Sequence, residues 1–184
     1  MLPFVSKLLF SKQLAFEKGK MTIFDQRVLI FPAEFLALMT EKCTKDKKFE
    51  KEIYNAMKTS VFQFCKSLNE RRNVPRKEMS NILINLSEMN GYGELQLIKL
   101  DYEKKLAIFH MRGLPSELLK GKVKGKKTVD NYWAGMIAGG ASFIFNDKSV
   151  EAVETRCVIT GKESCEFVAG TPKFLKTYLK NTST

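Results

Sequence analysis

Val150-Glu151-Ala152-Val153-Glu154-Thr155-Arg156-Cys157-Val158-Ile159-Thr160 and Ser164-Cys165-Glu166-Phe167-Val168-Ala169 are two strand-like runs joined through Gly161-Lys162-Glu163. β-Branched and aromatic residues on both sides of a glycine turn read as a β-hairpin. Immediately before them, Tyr132-Trp133-Ala134-Gly135-Met136-Ile137-Ala138-Gly139-Gly140-Ala141-Ser142-Phe143 reads as a helix that begins near Thr128 or Asp130, either of which can cap it. Its small residues admit another backbone at close range. A small-residue helix feeding an antiparallel hairpin sets the fold class: α+β, with helices packed on an antiparallel β-sheet.

The same pattern extends towards the N-terminus. Glu94 to Leu100 and Lys104 to Arg112 pair as a hairpin around Asp101-Tyr102-Glu103. Alternation puts Leu106, Ile108 and His110 on one face of the second strand and Ala107, Phe109 and Met111 on the other. A helix over about 48–70 collects Ile53, Met57, Val61, Phe64, Cys65 and Leu68 on one stripe, which makes Cys65 a buried structural thiol. Another over 77–89 turns Ile82, Leu83, Leu86 and Met89 inward and stops at Asn90-Gly91-Tyr92-Gly93. Short strands fill 13–31, Pro32 opens a helix, and a helical tail follows Pro172. The Lys-rich stretch 113–127 is a connector and a candidate lid over a pocket. No repeat or linker interrupts the chain, so residues 1–184 form a single domain.

A net charge of +11 leaves anionic partners open, but the excess is mostly lysine. The clusters Lys45, Lys47, Lys48, Lys51 and Lys120, Lys122, Lys124, Lys126, Lys127 read as solvated surface rather than as a direct nucleic-acid contact. No aromatic residue interleaves the second cluster, as a single-strand stacking platform requires. No apolar run reaches the ~18–20 residues of a membrane span. The first ten residues lack a basic segment followed by a long apolar one, so they read as part of the fold, and a cytoplasmic location with reduced thiols is expected.

Catalytic motifs are absent from the sequence. There is one histidine, no Gly-x-Ser-x-Gly elbow, no phosphate-binding Gly-x-x-x-x-Gly-Lys loop, and the helical glycines follow no strand. Glu154, Cys157 and Cys165 are instead a candidate metal set. Thiolates suit zinc, a carboxylate can complete the set, and a turn at Gly161 can bring the two cysteines opposite each other. A disulfide or a pair of free thiols fits the same spacing. Glu154 and Cys157 are three positions apart, on opposite faces of a straight strand, so a bulge or twist is required between them.

Gly139-Gly140-Ala141, Val153-Glu154-Thr155-Arg156-Cys157, Gly161 and Cys165-Glu166-Phe167-Val168-Ala169-Gly170 together resemble the 4-vinyl reductase domain over about residues 128–170. Relatives of that family include the effector-sensing domains of phenol-responsive activators and, more distantly, subunits of the TRAPP tethering complex, and many archaeal members stand alone. The resemblance implies a ligand cavity between helices and sheet and a homodimer. It also implies a structural zinc on Glu154, Cys157 and Cys165. The family's further upstream Cys has no counterpart between Asn131 and Phe145, which leaves water, His110, Cys43 or Cys65 as the fourth ligand. The phenol sensors orient their effector with a His and a Trp. Here those are His110 and Trp133, with Phe109, Met136, Ile137 and Phe143 as apolar walls.

Three functions follow. The first is a sensor or regulatory domain for a small apolar or aromatic molecule, signalling through a protein partner. The second is an assembly protein like a tethering-complex subunit, in which the cavity collapses or is filled. The third is an enzyme of tetrapyrrole metabolism. The family's reductase label is not evidence of reduction, and catalysis is not expected.

Overall fold

The computed structural model describes residues 2–11, 13–123 and 128–182. Its elements in chain order are α1 (Leu2–Phe10), β1 (Leu14–Glu17), β2 (Lys20–Ile23), β3 (Gln26–Val28), α2 (Ala33–Lys45), α3 (Lys47–Arg72), α4 (Arg76–Met89), β4 (Glu94–Asp101), β5 (Leu106–Arg112), α5 (Asn131–Ile144), β6 (Glu151–Arg156), β7 (Cys165–Gly170) and α6 (Pro172–Thr182). All strand pairing is antiparallel, in a meander β1-β2-β3 and a four-stranded sheet of order β4-β5-β7-β6. Helices on an antiparallel sheet is the architecture expected from the alternating and 3.6-residue patterns.

Helix α5 is the centre of the domain. Eleven of its residues are buried, and it lies between α3 on one side and the sheet on the other. The glycines explain how it fits. A Cβ on Gly139 would lie 2.3 Å from the Lys58 carbonyl oxygen, and one on Gly135 would lie 2.5 Å from that of Tyr54. The α3 backbone therefore occupies the space where side chains would stand. Tyr54 and Lys58 extend from that contact to the sheet. The Tyr54 hydroxyl donates to Glu151 Oε2 at 2.6 Å and accepts from the Ala152 amide at 2.9 Å, and Lys58 Nζ pairs with Glu151 Oε1 at 2.6 Å.

The sheet buries both faces. Ala107, Phe109 and Met111 join the main core, whereas Leu106 and Ile108 pack with Val168, Val153, Leu175 and Phe174 under α6. Cys65 and Cys43 are buried, and desolvation pushes their thiols up to about 12 and about 11. Lys45, Lys47 and Lys48 pair with Glu41, Glu50 and Glu52 along their own helices. No helix among the described residues is long and apolar enough to cross a membrane.

Three boundaries differ from the sequence reading. The first ten residues contain a helix, α1, which their short apolar run did not announce. The strand expected from Val150 to Thr160 ends at Arg156 and gives way to a 3₁₀ turn over Val158–Thr160. The connector contains a 3₁₀ turn, Pro115–Leu119, with Pro115, Ser116 and Leu119 buried. Lys124, Lys126 and Lys127 lie outside the described residues.

Candidate functional site

Two sites flank α5. The first is at its N-terminus, where the β6–β7 hairpin closes over the helix start. The register of β6 against β7 shifts between Glu154 and Arg156, so a bulge stands where the spacing of Glu154 and Cys157 requires one. Cys157 then leaves the strand for the 3₁₀ turn, and Gly161, at φ +84, reverses the chain towards Cys165.

The fourth member of the set is Asp130. One ligand atom each from Asp130, Glu154, Cys157 and Cys165 lie within 4.8 Å of one another. His110, Cys43, Cys65 and water were the candidates from sequence, and the structure puts none of the three side chains there. Asp130 was read as a helix cap. It does occupy the N-cap position of α5, but its side chain makes no capping bond. Glu154 holds the approach to the helix from the strand instead, its Oε2 accepting from the Val129 and Asp130 amides at 2.7 and 2.8 Å. The Asp130 carboxylate is thereby left facing the thiols.

The cluster lies in the interior. Asp130, Cys157 and Cys165 are fully buried. Asp130 Oδ2 accepts from Ser116 Oγ at 2.9 Å and lies 3.6 Å from each sulfur, and the sulfurs are 3.8 Å apart. The cysteines are free thiols, well beyond the ~2.05 Å of a disulfide. Burial, then the neighbouring Glu154, holds the Asp130 carboxyl well above the usual carboxylate range. Burial, then Cys157, pushes Glu154 up to about 8. A hydrogen bond from the Cys165 thiol lowers Cys157, and the same bond raises Cys165. Asp130 Oδ1 and Glu154 Oε1 are buried with no hydrogen-bond partner.

A divalent cation fits this donor set. Zinc bound at ~2.3 Å to sulfur and ~2.0–2.2 Å to oxygen makes a tetrahedron whose S···S edge is about 3.8 Å and whose S···O edges are about 3.6 Å. The sulfur–sulfur and sulfur–Asp130 separations have those lengths. The charge balance fits as well, because four acidic groups packed together must hold protons unless a cation compensates them.

The second site is an apolar cavity of about 230 Å³ walled by α3, α4, α5, β4 and β5. Of the residues named from sequence, Phe109, Trp133, Met136 and Ile137 line it. His110 and Phe143 do not. His110 is on the opposite face of β5, its Nε2 3.0 Å from Glu166 Oε2 and 2.8 Å from an Arg156 guanidinium nitrogen. Phe143 packs edge-on against Phe62 and beneath the Arg76 guanidinium. None of the described connector residues, 113–123, borders the cavity, so they form no lid.

Sequence reasoning missed the polar part of the wall: Ser60, Ser80, Ser87, Asn90, Tyr92 and Tyr132. Ser80, Leu83 and Ser87 are spaced three and four apart, so small polar residues interrupt the inward stripe of α4. That interruption was the available signal. Tyr92 and Tyr132 both meet the Trp133 ring edge-on, at 4.9 and 5.3 Å. Among the described residues, no carboxylate, imidazole, thiol, amine or guanidinium borders the cavity.

No protein-family model and no curated protein matches the sequence. Solved structures do. The phenol-responsive sensory domain of the transcription activator PoxR, solved with phenol, has a TM-score of 0.73 at 14% identity, covering 93% of this chain and 90% of that one. A vinyl-4-reductase family protein from Methanocaldococcus jannaschii has a TM-score of 0.51 at 18% identity, covering 77% and 82%. A trafficking protein particle complex subunit 3 from Naegleria fowleri, covalently bound to palmitic acid, has a TM-score of 0.49 at 11% identity, covering 75% and 93%. At these identities the likeness is one of fold, and with the first of these structures it spans nearly the whole length of this chain.

Proposed function

We propose that this chain is a ligand-binding sensor or regulatory domain for a small apolar or aromatic molecule, held in the cavity beside α5. The observation that carries the reading is the cavity itself, an apolar space of about 230 Å³ with the single tryptophan in its wall. The fold shared with a phenol-responsive domain supports it. An assembly protein with a collapsed core would lack such a space. The volume is below the ~300–1,000 Å³ that drug-sized ligands occupy, which leaves no room for a tetrapyrrole. A wall without an acid or base favours a ligand held over one transformed.

The test is a thermal-shift screen of small neutral aromatic and aliphatic compounds. A binder at about 100 times its Kd adds about 2.7 kcal/mol, and at roughly 2–4 °C per kcal/mol the Tm rises about 5–10 °C. Met136→Trp, which fills the cavity from α5, abolishes the shift. No binder in the panel, or shifts that survive Met136→Trp, would sink the reading.

In this reading Asp130, Glu154, Cys157 and Cys165 hold a zinc ion. When bound, the ion supplies a cross-link between the start of α5 and the hairpin, because closed four-ligand sites are structural.

The domain also pairs with a second copy of itself through its N-terminal face. Among the described residues, eight of the twelve large apolar side chains left exposed fall between Leu9 and Leu38, including Phe10 at 89% and Ile30 at 82%. At about 200 Å² per large side chain, their exposed area is about 1,000 Å², against about 800 Å² per partner in a standard interface. Phe16, Leu29 and Ile30 line one groove of the meander. Light scattering is expected to report a dimer, and Phe16→Glu with Ile30→Lys a folded monomer whose Tm no longer depends on protein concentration. A monomeric parent at tens of micromolar overturns the assignment.

A further inference from the structure

Three buried side-chain polar atoms among the described residues have no hydrogen-bond partner. Two belong to the Asp130–Glu154 cluster. The third, Ser87 Oγ, is more than 40 positions from either in sequence and belongs to a residue of the cavity wall instead. Ser87 is only 7% exposed. Two other buried serines are satisfied within the protein: Ser116 donates to Asp130, and Ser142 donates to the Val150 carbonyl. A buried hydroxyl without a partner is unfavourable, and native interiors rarely keep one without a use.

We infer that Ser87 is the polar anchor of the cavity, and that its ligand is an uncharged molecule slightly larger than benzene carrying one hydrogen-bond-accepting oxygen. This rests on the ligand-binding reading above and narrows it. The size follows from the volume: a cavity of roughly 150 Å³ takes benzene, and about 230 Å³ adds room for a few further heavy atoms. The neutrality follows from the wall. Bringing an ionised group into a space with no counter-charge forfeits its hydration with nothing in return. The oxygen follows from Ser87, whose hydroxyl donates to it. The apolar remainder of the molecule packs on Phe109, Met136, Ile137 and the Trp133 ring.

The experiment compares three probes of nearly equal size, acetophenone, isopropylbenzene and benzoate, by quenching of Trp133 fluorescence in the parent and in Ser87→Ala. Acetophenone and isopropylbenzene are expected to bind, and benzoate not to. Ser87→Ala is expected to weaken acetophenone about tenfold and leave isopropylbenzene unchanged. Ser87→Ala without ligand should melt at or above the parent temperature, because it removes an unpaired hydroxyl from a helix. If both neutral probes bind and Ser87→Ala shifts neither, or shifts both alike, the anchor is wrong and the cavity reading stands. If neither binds the parent, both fall. Tight benzoate binding overturns the neutral-ligand assignment. A Ser87→Ala protein that melts well below the parent shows that the hydroxyl has a partner inside the fold, and overturns the anchor.

Discussion

Gly139→Ala is expected to lower the Tm by about 5–10 °C, although glycine to alanine inside a helix ordinarily stabilises by about 1 kcal/mol. The sign reverses because of where α3 lies. The added carbon would stand 2.3 Å from the Lys58 carbonyl oxygen and 3.1 Å from the Phe62 amide nitrogen, both backbone atoms in the middle of a 26-residue helix. No rotamer change relieves that contact, so the two helices must separate. Overpacking of a well-packed interior costs about 1–3 kcal/mol and sometimes more, and here it strikes the largest helix–helix interface. A net loss of about 2–3 kcal/mol, at roughly 2–4 °C per kcal/mol, gives the stated shift. Calorimetry of the purified variant checks it, and an unchanged or raised Tm would refute the close approach of α3 and α5.

The second large effect is loss of the metal. The purified protein is expected to carry one zinc per chain by native mass spectrometry, and a strong chelator should lower its Tm by more than 10 °C. Zinc gives a peptide without a core about 10–16 kcal/mol of apparent stability at neutral pH. This domain has its own core, so the contribution is several kcal/mol, concentrated where the hairpin joins α5. Asp130→Asn should lose zinc and keep the fold, since it keeps shape and removes one anionic ligand. Asp130→Cys should retain zinc, because a thiolate is an equally good donor. Protein that is metal-free as purified, and indifferent to both zinc and chelator, would remove the site. Zinc retained in full by Asp130→Asn would remove Asp130 from it.

The contrast between Asp130 and the hairpin cysteines shows what could be read in the sequence. Cys157, Cys165 and Glu154 are local to one turn, so spacing alone marked them as a set and even called for the bulge that joins them. Asp130 is 24 positions before Glu154, and only the docking of α5 against the hairpin brings it in. An acidic residue before a helix reads as a cap by every local rule, and here its side chain makes no capping bond. The cavity tells a related story. Strand alternation already put Phe109 and His110 on opposite faces of β5, so no single pocket on that strand could include both. Helix period gives no such warning for Phe143, which falls seven positions after Met136 and so on the same stripe of α5; its packing against Phe62 and Arg76 takes it out of the cavity wall. The resemblance drew both residues in, and alternation had already separated His110. Helices α3 and α4 were legible because their apolar stripes are long. Helix α1 was not, since a nine-residue apolar stretch carries no comparable period.

The order β4-β5-β7-β6 has a consequence for how the chain reaches this structure. Strand β5 finds β7, not the strand next in sequence, and Met111 is paired with Cys165 across 54 positions. The loop they close contains all of α5, whose own main contact, α3, lies as far back again. Closing such loops is unfavourable until the packing that rewards it is complete, so folding should be slow, limited by topology rather than by any local element. A ribosome releasing this chain would hold an unfinished core until β7 emerged. Until then the small-residue face of α5 and the apolar strand β5 would be exposed together, the period in which the protein is most in need of a chaperone.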